Sequence, residues 1–143
     1  MRTIICGAPD WTFDNVIRDE IVKCHVRARR KKEALLIIHG DDNGPDVIIN
    51  KICNEVGIDQ VIYPAIRTMG HSGWLRRNKI MLQENDIDLV ILFSHTIREG
   101  TVIEDMKIRA EDKRIPVSVI DYKTLMNRNS TEIDADPLGS GGF

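Results

Sequence analysis

Apolar residues in this chain fall into short unbroken runs, separated by longer segments where they recur every three or four positions. The runs are TIIC (3–6), ALLIIH (34–39), QVIYPA (60–65), LVILFS (89–94) and PVSVID (116–121). They are rich in Ile, Val and Leu and do not alternate with polar residues, as expected of parallel strands covered on both faces. Between the first two, Phe13, Ile17, Ile21, Cys24 and Ala28 keep helical spacing. That spacing predicts a helix starting at Thr12, capped by Thr12 or Asp10 and ending in RARRKK (27–32). A second helix is predicted from Pro45, a favourable first-turn residue, to Gly57. Two more cover 73–85 and 100–113. The repeated strand–helix order predicts an open, doubly wound α/β sheet with helices on both faces, a three-layer sandwich.

At 143 residues the chain is long enough for one domain with a real core. Twenty Lys and Arg stand against 22 Asp and Glu, a balance that gives no general reason for nucleic-acid binding. Five of the six residues in RARRKK are cations, but cations at a helix C-terminus offset the macrodipole and sit in solvent. Cys6, Cys24 and Cys53 are odd in number and lack zinc-type spacing, so reduced thiols are expected rather than a disulfide framework. The N-terminal apolar stretch is too short for a signal peptide, and no run approaches membrane-spanning length. The expected setting is therefore cytoplasmic. Residues 1–123 are read as the domain and 124–143, ending in Gly and Ser, as a C-terminal extension.

Ligands of open parallel sheets bind beyond the carboxyl ends of the strands. The loops predicted there are CGAPDW, HGDDNGPD, AIRTMGHSGWLRRN and SHTIREGT, each containing Gly and each leading into a helix. Gly allows close backbone approach, and a helix N-terminus offers free N–H groups to an anion. His39, His71 and His95 fall in or beside these loops. With Asp10, Asp41 and Asp42 they are candidate metal ligands, but none has HxxxH spacing, and neither a metal nor a cofactor is expected. His71, in a Gly-flanked loop, is the strongest His candidate for ligand contact. Arg76, Arg77, Asn78 and Lys79 open the third helix, where cations oppose the dipole. Their presence implies a nearby anion or a compensating carboxylate. Trp11 and Trp74, each close to a loop Gly, are candidates for base stacking or for the core.

Taken together these loops resemble a known family. RTIICGAPDW (2–11) resembles the opening motif of the YspA-type branch of the SLOG superfamily, and LLIIHGDDNGPD resembles its HGxAxGAD. GWLRRNKIML (73–82) resembles its GPxRNxxML, and the segment 88–101 its fourth strand and Gly–Thr loop. The resemblance implies a Rossmann-like five-stranded parallel sheet of order 3-2-1-4-5 that binds a nucleotide or nucleotide-derived ligand. It also implies a source among bacteria or their phages. By position it implies ligand contacts from Gly7, Asp10, Trp11, Gly40, Gly44, Asp46, Arg77, Asn78, Gly100 and Thr101. Ala8 and Pro9 replace a Gly and an Arg of the first motif, and His95 and Thr96 replace the Gly pair of the fourth.

Related phosphoribohydrolases cleave an N-glycosidic bond with an Arg on the third helix and a Glu just after the Gly–Thr. Here that Glu is Glu104, one residue late, and one residue turns a helical side chain by about 100°. The leading expectation is a nucleotide binder, with a sensing or sequestering role. The alternative is an N-glycosidase using Glu104 or Asp10 as catalytic carboxylate. Single-stranded DNA binding ranks below both, since aromatics make up only 5% of the chain. A homodimer or higher homo-oligomer is expected. Asp41 and Asp42 remain as an anomaly: either they face solvent, or they select a ligand with less phosphate and more sugar or base.

Overall fold

The structure, a computed structural model, describes residues 1–121 and 125–126. Its strands are β1 (Arg2–Gly7), β2 (Leu36–Gly40), β3 (Asp59–Tyr63), β4 (Leu89–Phe93) and β5 (Val117–Ile120). All pair in parallel, in the order β3-β2-β1-β4-β5. The helices are α1 (Asp14–Arg30), α2 (Pro45–Val56), α3 (His71–Glu84) and α4 (Val102–Asp112). This is the doubly wound, Rossmann-like α/β architecture that the sequence pattern and the resemblance predict. The extension 124–143 lies outside the described residues except for Leu125 and Met126.

Successive strand residues face opposite sides of the sheet, and each face buries its own core. On one side Ile5, Ile37, Ile91 and Phe93 meet Ile17, Ile21 and Cys24 of α1 and Ile49 and Ile52 of α2. On the other, Ile4, Ile38, Val90 and Leu92 meet Met81 and Leu82 of α3 and Ile103, Met106 and Ala110 of α4. At about 1.5–3 kcal/mol for each fully buried aliphatic side chain, these two layers dominate stability. Edge position changes the pattern: β3 has a neighbour on one side only, and its Val61 and Ile62 are exposed. Among the described residues no helix is long and apolar enough to cross a membrane.

Three helix starts depart from the sequence reading, that of α4 by beginning at Val102 rather than at 100. Phe13 occupies the N-cap of α1, and neither Thr12 nor Asp10 supplies a capping bond. Helix α3 begins at His71, two residues before the predicted start, behind Gly70 at φ 59° and a short 3-10 turn, Arg67–Met69. Gly57, at φ 80°, closes α2 in the left-handed conformation that glycine adopts without steric cost.

Candidate functional site

The chain runs outward from β1 through β2 to β3, then returns to the other side of β1 to form β4 and β5. Loops leaving β1 and β4 therefore diverge, and a cavity of about 450 Å³ opens at that switch point. Gly7, Ala8, Pro9 and Asp10 form one wall, and Gly40, Asp42, Asn43, Pro45 and Asp46 form the next. Helix α3 contributes His71, Trp74 and Arg77. The β4–α4 segment contributes Ser94, Thr96, Arg98 and Gly100 through Ile103. The openings of α2, α3 and α4 thus share one cavity.

Two glycines let this edge close. A Cβ on Gly7 would lie 2.4 Å from Cβ of Pro45, so only glycine lets the start of α2 pack against the end of β1. A Cβ on Gly40 would lie 2.5 Å from Nη1 of Arg77 and 2.8 Å from Oδ2 of Asp46, so these two side chains converge over the end of β2.

For Arg77, the compensating carboxylate is Asp42. Arg77, only 7% exposed, donates from Nη2 to Asp42 Oδ2 at 3.0 Å. Trp74 Nε1 donates to the same carboxylate at 3.0 Å. Arg67, from the 3-10 turn, donates to Asp41 at 3.1 Å and lies over the Trp74 ring at 5.8 Å. Burial pushes Asp41 up, but the hydrogen bond and charge of Arg67 outweigh it, and its carboxyl is held below the ordinary range. Asp41 and Asp42 are therefore paired rather than simply solvated. Nε and Nη1 of Arg77 are buried with no hydrogen-bond partner. Such donors are costly to leave unpaired, which makes them the strongest ligand-directed feature of the cavity.

Asp46, 8% exposed in the first turn of α2, accepts the Asp42 backbone N–H at Oδ2 (3.0 Å). Cys6 borders the same cavity. Burial, then the charge of Asp46, pushes its thiol up to about 12, with Arg77 pulling the other way. The three cysteines are free. Among the described residues no group of three or more His, Cys, Asp or Glu is placed to hold a metal ion.

Eight of the residues proposed from sequence line the cavity: Gly7, Asp10, Gly40, Asp46, His71, Arg77, Gly100 and Thr101. Four others have different surroundings. Trp11 is 3% exposed, stacks on His95 at 4.8 Å and packs in the α1-side core. Asn78, 1% exposed, donates to the Val102 carbonyl at 3.0 Å and to Asp105 at 3.1 Å, which ties α3 to α4. Gly44, at φ 88°, is the N-cap of α2 and belongs to the turn. Glu104 accepts the Gly100 N–H at 2.9 Å, while Thr101 Oγ1 accepts the Glu104 N–H at 3.3 Å. This is a form of capping box, and it commits Glu104 to the start of α4. Sequence reasoning weighed Asp42 and Trp74 only as open alternatives, solvent or ligand for one and core or base for the other, and it left Arg98 out; all three line the cavity. Trp74 carried a signal in its position beside a loop Gly; Arg98 carried none.

Fold and cavity together define a Rossmann-like α/β domain with a concave site at its topological switch point. No protein-family model matches the chain, and no curated protein matches it. Among solved structures it is similar to a universal stress protein from Archaeoglobus fulgidus. That similarity spans 85% of this chain and 99% of the other, at 15% identity and a TM-score of 0.48. At that level it carries no functional argument, and the reading of the site rests on the site's own residues.

Proposed function

We propose that this protein binds a nucleotide-derived ligand carrying little phosphate, a nucleoside or nucleoside monophosphate, in a sensing or sequestering role. The observation that carries this reading is Arg77, a buried guanidinium with two nitrogens that make no hydrogen bond, in a cavity bounded by three helix starts. A single phosphate meeting Arg77 and the open N–H groups of those helices satisfies both. The cavity volume lies within the usual range for small-molecule sites, roughly 300–1,000 Å³. Asp10 and Asp42 match Arg77 and Arg98 in number along its walls, which leaves no surplus positive charge for a triphosphate. Trp74 offers an indole face for a base, and the Asp46 carboxylate accepts from sugar hydroxyls. The commitment of Glu104 to its cap argues for binding over cleavage by that residue.

Membership in the YspA-type SLOG branch, a cytoplasmic bacterial or phage setting and a homo-oligomeric state belong to the same proposal. Val61, Ile62, Ile66 and Met69, all exposed on and just after the edge strand β3, support self-association. The test is mass spectrometry of ligand released on denaturing the purified protein, followed by thermal-shift titration with adenosine and guanosine and their mono-, di- and triphosphates. A nucleoside or monophosphate recovered intact, with the largest shift for the same compound, is expected. Absence of both ligand and shift overturns the reading, and release of free base during incubation replaces it with a glycosidase. Arg77→Ala should abolish the advantage of monophosphate over nucleoside.

A further inference from the structure

Behind the cavity wall lies a buried imidazole that the ligand-binding reading does not use. His39, on β2, is 0% exposed. Its Nε2 lies 2.7 Å from Oε1 of Gln60 on β3. The Gln60 amide is itself fixed, because its Nε2 donates to Asn50 Oδ1 at 2.8 Å and to Asn54 Oδ1 at 3.2 Å. With the amide nitrogen committed to two oxygens, Oε1 can only accept, so His39 Nε2 must carry a hydrogen. A neutral His39 then presents a bare lone pair at Nδ1. That atom has no hydrogen-bond partner and faces Asp46 Oδ1 at 3.8 Å.

A bare buried Nδ1 is left unsatisfied, and the carboxylate oxygen facing it offers no hydrogen to bond it. A single proton resolves the conflict by converting the pair into donor and acceptor. We propose that the His39–Asp46 pair carries one proton, held on Nδ1 so that imidazolium faces carboxylate across 3.8 Å, which makes the pair an acid–base group at the cavity wall with His39 as the positioning residue of Asp46. The other carboxylate oxygen is held by the Asp42 N–H, so Oδ1 is the atom free to exchange the proton. The titratable and charged groups around the pair are Asp42 from the β2–α2 loop, Arg77 from α3 and the Cys6 thiol from β1. Asn50 and Gln60, from α2 and β3, are neutral.

When a basic atom of a bound ligand takes the proton, the bond to hydrogen breaks and its electron pair stays on the pair. Asp46 is left as carboxylate and His39 as the neutral Nε2–H form. Replacing the proton from solvent restores the starting state, so the exchange needs no other reactant. What the proton serves rests on the cavity being the ligand site. Its existence does not, and ligand-free protein tests it separately.

The experiment is a long-range proton–nitrogen correlation spectrum of nitrogen-15-labelled, ligand-free protein at neutral pH, with His39 assigned by its absence in His39→Gln. Both ring nitrogens of His39 should show protonated-type shifts. Asp46→Asn should convert Nδ1 alone to the bare type and leave Nε2 protonated. A bare Nδ1 on His39 in the unsubstituted protein overturns the proposal even where Asp46→Asn does not fold, and nuclear Overhauser contacts between the His39 ring and Gln60 assign it where His39→Gln does not. An Nδ1 that stays protonated in Asp46→Asn overturns it as well. If instead the spectrum is as expected but no nucleoside or nucleotide binds, the proton pair stands and the ligand reading fails.

Discussion

Asp42→Asn is the substitution that separates the structural and functional claims about the cavity. It keeps the shape of the side chain and an oxygen for Trp74 Nε1, and it removes the negative charge facing Arg77. Removing one partner of a fully buried ion pair costs about 3–5 kcal/mol. That ceiling must be lowered here, because the Asp42 side chain is 31% exposed and Asp41 Oδ1 remains 3.8 Å from Arg77 Nη1. A loss of about 1–2 kcal/mol is the result, between an exposed pair and a buried one. For a chain of this size that lowers Tm by about 3–7 °C. Phosphate binding should move the other way. One carboxylate about 6 Å from a phosphate, at an effective dielectric near 20, opposes it by up to ~3 kcal/mol. Salt screening reduces the gain to roughly tenfold in affinity, larger for triphosphate than for monophosphate. Thermal unfolding and calorimetric titration with the two phosphates, at equal ionic strength, read both effects. A variant as stable as the parent, with the same order of preference among phosphates, refutes the assignment of Asp42 as both partner of Arg77 and selector against phosphate.

Gly7→Ala must displace the rigid Pro45 ring together with the start of α2, so urea unfolding should show a loss of about 1–3 kcal/mol. Thr101→Ala removes the side-chain cap of α4 and should cost about 1 kcal/mol by the same measurement. The Cys6 and Cys53 thiols, pushed up to about 12 and about 11 mainly by burial, should resist iodoacetamide at pH 8.5 in the native state and react in urea. Their raised values have a definite sign: stability is full below the ordinary thiol range and declines as pH rises toward about 11 and then about 12. Asp41 gives the opposite limb. Its lowered carboxyl contributes above the ordinary carboxylate range and loses that contribution as pH falls through the lowered value, so Asp41→Asn should flatten acid unfolding.

The architecture was legible because each buried strand is an unbroken apolar run and each helix keeps its own period. Strand order was not legible from those runs, which say nothing about neighbours; it came from the resemblance and agrees with the structure. The ends of elements were less legible. Gly70, at φ 59°, lets α3 start early, and nothing in the residue type of Phe13 marks it as an N-cap. Within the site, local signals succeeded and distant ones failed. Gly7 and Gly40 were identified as places of close approach, and what approaches is Pro45 and Arg77. Glu104 was weighed as a catalytic carboxylate in a family register, although Thr101 and Glu104 already spell a capping box. Asn78 was assigned to ligand, but its partners on α4 lie 24 and 27 positions away. The same distance hid Arg67, whose bonds to Asp41 cross 26 positions and explain an acidic loop that looked misplaced.

The link between Asn78 and the start of α4 also determines which contacts hold the cavity's two sides together. Asn78 fastens α3 to α4 there, so their two walls form one side of the cavity, and the loop from β2 into α2 forms the other. Near the mouth, the seam between the two sides is crossed by Asp41 and Asp42 on one side and Arg67, Trp74 and Arg77 on the other. Most of those contacts are charged, and added salt weakens charged contacts near a surface while leaving the apolar layers beneath intact. Raised ionic strength should therefore loosen this seam before the layers beneath it, read as faster amide hydrogen exchange at the start of α2 than in the strands.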